Sequence, residues 1–312
     1  MKLSVVIPCY RSEHTIANVV KEIIDTIPTC KDVDDYEIIM VSDGSPDNVF
    51  SVIRRLCEEN PKCKGLEFSR NYGQHAALLA GYHCVTGDIV TAIDDDGQTP
   101  LESLPELLTA LKNGADVVCG SYEHKQHNWF RRFGSRFNNF MAEWLMDKPK
   151  NWEPTSFIAL RRYIIDELIR YDNAFPYMLG LVLRATNRFA NIPVKHRQRN
   201  GGQSGYRLGK LIKLWLNGAT AFSIKPLRIA ALLGVTIAVG GLLLGMWIIC
   251  QKLINPNVPA GYASMMSVMA IFSGTILLTL GLMGEYIGRM YICINKSPQF
   301  VIRDKINMEH LR

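Results

Sequence analysis

Through the first 120 residues, apolar positions come as short unbroken runs that alternate with stretches of helical spacing. Leu3–Ile7 (LSVVI) is a run of the kind that marks a strand buried on both faces. After it, Ile16, Val19, Val20, Ile23 and Ile24 recur at helical spacing, which predicts a helix from about Ser12 to Thr26. The pattern then repeats, predicting strands at Glu37–Val41, Leu66–Ser69, Ile89–Ile93 and Asp116–Cys119. Helices are predicted between them at Asn48–Glu59, Gln74–Cys84 and Leu101–Lys112. Strands and helices alternating through short connections predict an α/β fold: a mostly parallel, right-handed, Rossmann-like sheet covered by helices. Such sheets bind ligands at the carboxyl ends of their strands. The chemistry is therefore expected just after Ile7, Val41, Ser69 and Ile93.

Beyond residue 120 the pattern changes. His124–Trp144 has Phe133, Phe137 and Phe140 on one side of an amphipathic helix. Tyr206–Phe222 interleaves Leu208, Leu211, Ile212, Leu214 and Trp215 with Arg207, Lys210 and Lys213, as a helix lying in a membrane interface does. An ordinary surface helix is the alternative there. Next come two stretches without any charged residue, Ile229–Gln251 and Leu253–Gly284. Each exceeds the ~20 residues of helix that cross a ~30 Å hydrocarbon core. These features divide the chain into a domain at 1–205, an interfacial segment at 206–227, a two-helix transmembrane hairpin at 228–291 and a C-terminal tail at 292–312.

Charge sharpens this division. No acidic residue occurs between Asp172 and Glu285, while eleven Lys and Arg do. A basic segment leading into apolar spans points to anionic headgroups or a phosphate ligand and away from nucleic acid. Lys225 and Arg228 precede the first span, and Arg289, Lys296 and Arg303 follow the second. Between the spans the only cation is Lys252, which puts the Asn255–Tyr262 loop outside. The positive-inside rule then puts both termini and the soluble domain on the cytoplasmic side of an inner (plasma) membrane. Met1–Tyr10 is too short and too interrupted by Pro8 for a signal peptide. The eight cysteines show no metal-ligand spacing and read as reduced thiols, mostly in apolar surroundings.

The expected strand ends carry the unusual polar residues: Pro8-Cys9-Tyr10, Ser42-Asp43-Gly44-Ser45, Arg70-Asn71-Tyr72-Gly73 and Asp94-Asp95-Asp96-Gly97-Gln98. No G-x-G-x-x-G follows any of these strands, which excludes the usual dinucleotide fingerprint. Alternate residues of an extended chain project to one side, so Asp94 and Asp96 can present carboxylates together. Like charges so close require a cation, and Mg²⁺ or Mn²⁺ held this way also takes phosphate oxygens from a substrate. A solvated acidic turn is the plainer alternative. Asp43 lies in an Asp-Gly pair, a common turn, but its place beside the aspartates favours contact with a nucleotide.

In order along the chain, these motifs are VVIP-x-Y, x-S-D-G-S, R-N-Y-G-Q-H-A-A and D-x-D-x-Q. Then come W-F-R-R (Trp129–Arg132), R-x-x-G-x-S-x-Y (Arg199–Tyr206), Pro226-Leu227-Arg228 and G-E-Y-I-G-R (Gly284–Arg289). Together, over roughly residues 3–300, they resemble family 2 glycosyltransferases of the GT-A fold. Within that family they are most similar to the undecaprenyl-phosphate aminoarabinose transferases, then to polyprenyl-phosphate glucosyltransferases and dolichyl-phosphate mannose synthases. The resemblance implies an inverting, metal-dependent glycosyltransferase acting on a nucleotide-sugar, a UDP-sugar by preference over a GDP-sugar. The acceptor would be a polyprenyl phosphate, undecaprenyl phosphate above all, for cell-envelope glycan or lipopolysaccharide modification. It also implies a homo-oligomer, with a tetramer as one form.

Residue by residue, the resemblance assigns Pro8, Tyr10 and Asp43 to the nucleotide base and ribose, and Arg70 and Asn71 to the donor site. Asp94 and Asp96 would hold the metal and diphosphate, with Gln98 close to the phosphates. Arg131 and Arg132 would meet the acceptor phosphate, and Arg199 and Ser204 would close over the diphosphate. Three positions depart from the family pattern. Tyr10-Arg11-Ser12 replaces Y-N-E, Gly97 replaces a leucine, and Trp152-Glu153-Pro154-Thr155-Ser156-Phe157 replaces an aspartate-containing segment. Glu153 is the only carboxylate in that last segment, so it is the candidate base or sugar-hydroxyl contact. Two rival readings are a processive polysaccharide synthase and an inactive membrane scaffold of the same fold. The first predicts a Q-x-x-R-W motif and more spans, which the sequence lacks; the intact Asp94/Asp96 pair opposes the second.

Overall fold

The apolar runs form strands and the helically spaced stretches form helices, close to where the pattern puts them. The structure is a computed structural model that describes residues 1–122, 143–144, 146–150, 152–174, 176–195, 225–254 and 261–308. In chain order, β1 (Lys2–Cys9), α1 (Ile16–Thr26), β2 (Asp35–Ser42), α2 (Val49–Glu59), β3 (Cys63–Phe68) and α3 (Gln74–Cys84) come first. They are followed by β4 (Ile89–Ala92), α4 (Leu104–Lys112) and β5 (Val117–Tyr122). Then come β6 (Ile158–Arg161), α5 (Arg162–Leu168), α6 (Met178–Ala185) and β7 (Phe189–Val194). Last are α7 (Lys225–Ile254), α8 (Tyr262–Ile294) and β8 (Ile302–Ile306).

The eight strands form one sheet in the order β7-β5-β6-β4-β1-β2-β3-β8. β1 pairs in parallel with β2 and β4, β2 with β3, and β5 with β7. β6 and β8 run antiparallel to their neighbours, so the sheet is mixed at two places where the sequence pattern gave no strand. β6 has only four residues, too few for a period to show. β8 (IRDKI) carries three consecutive charged residues between two isoleucines, as suits a strand at an exposed edge.

Side chains alternate across the sheet. Leu3, Val5, Ile7, Ile38 and Met40 join Ile16, Val20, Ile53 and Leu104 in the main apolar core. On the opposite face α3 lies so close to β1 that a Cβ at Gly81 would come within 2.3 Å of Val6. With both faces covered, the central strands are buried almost throughout.

The end of the sheet away from the expected site holds a buried acid. Glu37, 2% exposed, accepts hydrogen bonds from Ser4 Oγ (2.6 Å), Thr86 N (2.5 Å) and Thr86 Oγ1 (2.9 Å). It also pairs with Lys64 Nζ at 2.7 Å. Burial alone would raise its pKa, but the Lys64, Ser4 and Thr86 donors outweigh that and hold it below its ordinary value. A depressed carboxyl pKa contributes stability above the unfolded value of about 4.3 and loses it as pH falls through the folded value. Glu37→Gln is accordingly expected to cost about 2–3 kcal/mol at pH 7. The gap between variant and wild type, read by unfolding in detergent, should narrow below about pH 4.

The described residues divide into two compact units. One is Met1–Arg207 with Lys296–Arg312, the other Leu208–Asn295. The second consists of α7 and α8, which contain stretches of 23 and 24 residues with mean hydropathy 2.3 and 1.4. Their apolar side chains point outward: Leu232 is 68%, Leu242 69% and Leu277 69% exposed. A core helix of a soluble protein would bury such residues, so these two helices require an apolar surrounding. Glu285 pairs with Arg289 at 2.8 Å, one turn apart. Arg131, Arg132, Arg199, Ser204 and nearly all of the interfacial segment lie outside the described residues, as does most of the 124–144 helix.

Candidate active site

At the carboxyl ends of β1, β2 and β4 a cavity of about 350 Å³ opens. Pro8, Cys9, Tyr10, Asp43, Asn71, Gly73, Gln74, Asp94, Asp95 and Asp96 line it. It lies where a parallel sheet with these crossovers is expected to bind a ligand. Four of its ten lining residues are aspartates and none is a cation.

Each aspartate is held differently. Asp43 is 3% exposed, and its two carboxylate oxygens accept the backbone N–H groups of Tyr72 (2.6 Å) and Gly73 (2.9 Å). Asn71 Nδ2 donates to the Asp43 carbonyl at 3.1 Å. Asp43 thus ties the end of β2 to the loop between β3 and α3. Gly44 allows the two to approach, since at φ +56° a Cβ there would lie 2.2 Å from the Arg70 carbonyl carbon. Burial pushes the Asp43 pKa up, and the two N–H donors oppose that.

Asp95 turns back toward β1, its carboxylate accepting the Tyr10 N–H at 2.8 Å while its carbonyl accepts from Thr15 Oγ1 at 2.6 Å. Asp94 accepts from Gln74 Nε2 at 3.1 Å and from Ser156 Oγ. Asp96 accepts from Gln98 N (3.0 Å) and Gln98 Nε2 (2.8 Å). Burial raises the pKa of Asp94, and the neighbouring charges of Asp96 and Asp95 raise it further. A half-buried carboxylate cluster without a lining cation suits a divalent metal. The Asp95 carboxylate accepts the Tyr10 N–H just past β1, while Asp94 and Asp96 are held by neighbouring side chains and backbone and could hold such an ion. Among the described residues no three His, Cys, Asp or Glu side chains form a ligand set by themselves. Two carboxylates completed by phosphate oxygens and water suit Mg²⁺ or Mn²⁺ better than a closed zinc site does.

The structure therefore brings together Pro8, Tyr10, Asp43, Asn71, Asp94 and Asp96, all picked out from the sequence. Arg70 is not in the lining: it is exposed, with its guanidinium 4.8 Å from the Tyr72 ring centre. Gln98 reaches the site only through Asp96. Glu153 is not in the lining: its carboxylate accepts from Ser121 Oγ at 2.7 Å, at the end of β5. Ser156, three residues on, is the member of that segment that touches an aspartate of the site. The sequence pattern assigns no role to Gln74, Asp95 or Ser156, although Gln74 stands in the R-N-Y-G-Q-H-A-A motif, Asp95 in the run of three acids and Ser156 in the segment that departs from the family pattern.

Comparison with known proteins accords with this geometry. Residues 4–169 match the family model described as glycosyl transferase family 2, and residues 225–290 match one described as the GtrB C-terminal hairpin. An undecaprenyl-phosphate 4-deoxy-4-formamido-L-arabinose transferase of Proteus mirabilis is 32% identical over 99% of this chain and 95% of its own. A protein of the same description from Serratia proteamaculans is 33% identical over 97% of this chain and 93% of its own. Among solved structures, glucosyl-3-phosphoglycerate synthase of Mycobacterium tuberculosis with Mn²⁺, UDP and phosphoglyceric acid aligns with a TM-score of 0.50. It is 22% identical and covers 69% of this chain and 74% of that one, a likeness of fold.

Proposed function

The chain belongs to glycosyl transferase family 2, and from that premise we propose that it transfers a sugar, with inversion, from a nucleotide-sugar to a polyprenyl phosphate. We assign the donor as a UDP-sugar, the acceptor as undecaprenyl phosphate and the place as the cytoplasmic membrane face. The product would serve cell-envelope glycan or lipopolysaccharide modification. One observation carries the reading: the acid-lined cavity at the strand ends stands on the same chain as two helices that expose apolar side chains along their length. The names of the two relatives, matched over nearly the whole chain, support the acceptor class. A homo-oligomer rests on the family resemblance alone.

In this reading Asp94 and Asp96 hold Mg²⁺ or Mn²⁺, which when bound offsets the charge developing on the departing diphosphate. Gln74, Ser156 and Gln98 orient the two carboxylates. Asp43, Pro8, Tyr10, Arg70 and Asn71 bind the nucleotide end of the donor, while Arg131, Arg132, Arg199 and Ser204 meet the acceptor phosphate and diphosphate. The acceptor is a phosphate monoester with a second pKa of about 6, largely a dianion at neutral pH. It can attack without losing a proton, so Glu153 is assigned as a sugar-hydroxyl contact rather than a base. Glu153→Gln should then weaken donor binding or relax sugar choice. Single-turnover rates at saturating donor should stay within about tenfold, whereas loss of a base costs ~10²–10⁴-fold.

The reaction is tested with purified chain in detergent, undecaprenyl phosphate, Mg²⁺ and a panel of radiolabelled UDP- and GDP-sugars. A labelled lipid monophosphate-sugar is expected; label in a water-soluble polymer, or no transfer from any donor, would reject the reading. The membrane topology has support of its own. β8 follows both apolar helices in the chain yet pairs with β3, so the segments before α7 and after α8 belong to one unit. If both helices cross the bilayer, both ends of the chain lie on the same side. A reporter active only outside the cytoplasm, fused after Arg312, is expected to be silent, and signal from it would overturn the cytoplasmic placement of the two ends.

A further inference from the structure

The segment Gln299–Ile306 follows the apolar hairpin, yet it adjoins the loop that shapes the nucleotide cavity. Its place is fixed at several points. Gln299 Nε2 donates to the carbonyls of Tyr171 (2.7 Å) and Asn173 (2.8 Å). Phe300 stacks on Phe68, with ring centres 5.3 Å apart and planes within 8°. The Val301 carbonyl accepts the Ser69 N–H at 2.9 Å, and residues 302–306 extend the pairing along β3. Arg54 and Asp304 close the edge with an ion pair at 2.7 Å.

Phe68 and Ser69 lead directly into the loop that holds Asp43. Phe68, 1% exposed, meets the Tyr72 ring edge-on at 5.7 Å. The Tyr72 and Gly73 N–H groups, in turn, grip the Asp43 carboxylate in the cavity wall. A contiguous series of contacts thus runs from Phe300 through Phe68 and Tyr72 to Asp43. Without Phe300 and Val301, Phe68 would lose its stacked partner and Ser69 N–H its acceptor, at the point where β3 ends and the loop begins. A loop anchored at one end only samples more conformations, and a ligand that needs the ordered one binds more weakly by the fraction lost.

We propose that the segment Gln299–Val301 is a positioning element for the nucleotide cavity, acting through Phe68 and Tyr72 on Asp43. The stack of Phe300 on Phe68 is its central contact. This rests on the donor reading given above, and the test separates the two. The full chain in detergent is titrated with UDP and with GDP in the presence of Mn²⁺, without acceptor, for wild type, Phe300→Ala and Phe300→Tyr. Phe300→Ala is expected to weaken nucleotide binding by roughly 2- to 30-fold, the range of couplings carried by residues outside a site. It should raise the donor KM to match, leaving kcat at saturating donor within about twofold. Phe300→Tyr keeps the stack and should restore binding.

A variant with a lowered Tm but wild-type nucleotide affinity would make Phe300 merely structural and overturn the proposal. Should Phe300→Ala fail to fold, Gln299→Ala loosens the same segment away from the aromatic stack. An unchanged donor KM in that variant overturns the proposal equally. Failure of wild type to bind either nucleotide would instead count against the donor reading itself.

Discussion

Asp96→Asn is expected to lower sugar transfer by about 10²–10³-fold while leaving the fold intact. Asparagine retains a side-chain oxygen that can accept the Gln98 N–H, now 3.0 Å from Asp96 Oδ1, so the turn after β4 should survive. The charge does not survive, and with it goes half of the proposed Asp94/Asp96 ligand pair. Without divalent cation the variant should be at least as stable as wild type. It removes like-charge repulsion from Asp94, whose pKa burial and then Asp96 and Asp95 push upward. Added Mg²⁺ or Mn²⁺ should raise the Tm of wild type and not that of Asp96→Asn, because only a state that binds the ion is stabilised by it. Transfer assays and thermal unfolding, each with EDTA and with metal, read both effects. Wild-type turnover in EDTA, or by the variant, would remove the metal site from the mechanism.

A methyl group at Gly44 should have the largest effect on stability. In Gly44→Ala the Cβ would lie 2.2 Å from Arg70 C, 2.5 Å from Asn71 N and 2.7 Å from Arg70 Cα. All three are backbone atoms of the loop that carries the Asp43 clamp, so no flexible side chain can yield. The φ of +56° adds the cost of a left-handed L-residue. Overpacking at about 1–3 kcal/mol and the backbone term at about 1–2 kcal/mol give a loss of roughly 2–5 kcal/mol. Nucleotide affinity should fall with it, because the loop must move away from Asp43. Gly97→Ala is the internal comparison: its φ is +74°, but the nearest atom to a Cβ is Val19 Cγ2 at 4.0 Å. It should incur only the backbone term of about 1–2 kcal/mol. Equal losses at the two positions, measured by unfolding in detergent, would show that the close approach at Gly44 contributes nothing.

Much of this protein was legible locally. A five-residue apolar run, an apolar face at helical spacing and a charge-free stretch of over 20 residues each report on the residues that form the element. β1 through β5, α1 through α4 and the two apolar helices accordingly stand close to where the pattern puts them. The cavity was legible for the same reason. Parallel strands joined by helices place their carboxyl ends side by side, so Pro8, Tyr10, Asp43, Asn71, Asp94 and Asp96 meet whatever the details of the loops.

Pairings between distant segments leave no periodic trace, and these only the tertiary structure decided. The four residues of β6 enter the sheet between β4 and β5, which places Ser156 rather than Glu153 against Asp94. Asp95 differs from its neighbours in that the Tyr10 N–H, just past the end of the distant β1, donates to its carboxylate. β8 reads as a charged tail until it finds β3 as a partner, with the whole hairpin lying between them in the chain. The physical reason is the same in each case. Hydrophobic spacing records which face of an element is buried. The choice of partner depends on backbone hydrogen bonds and side-chain contacts that form only after the chain has closed its long loops.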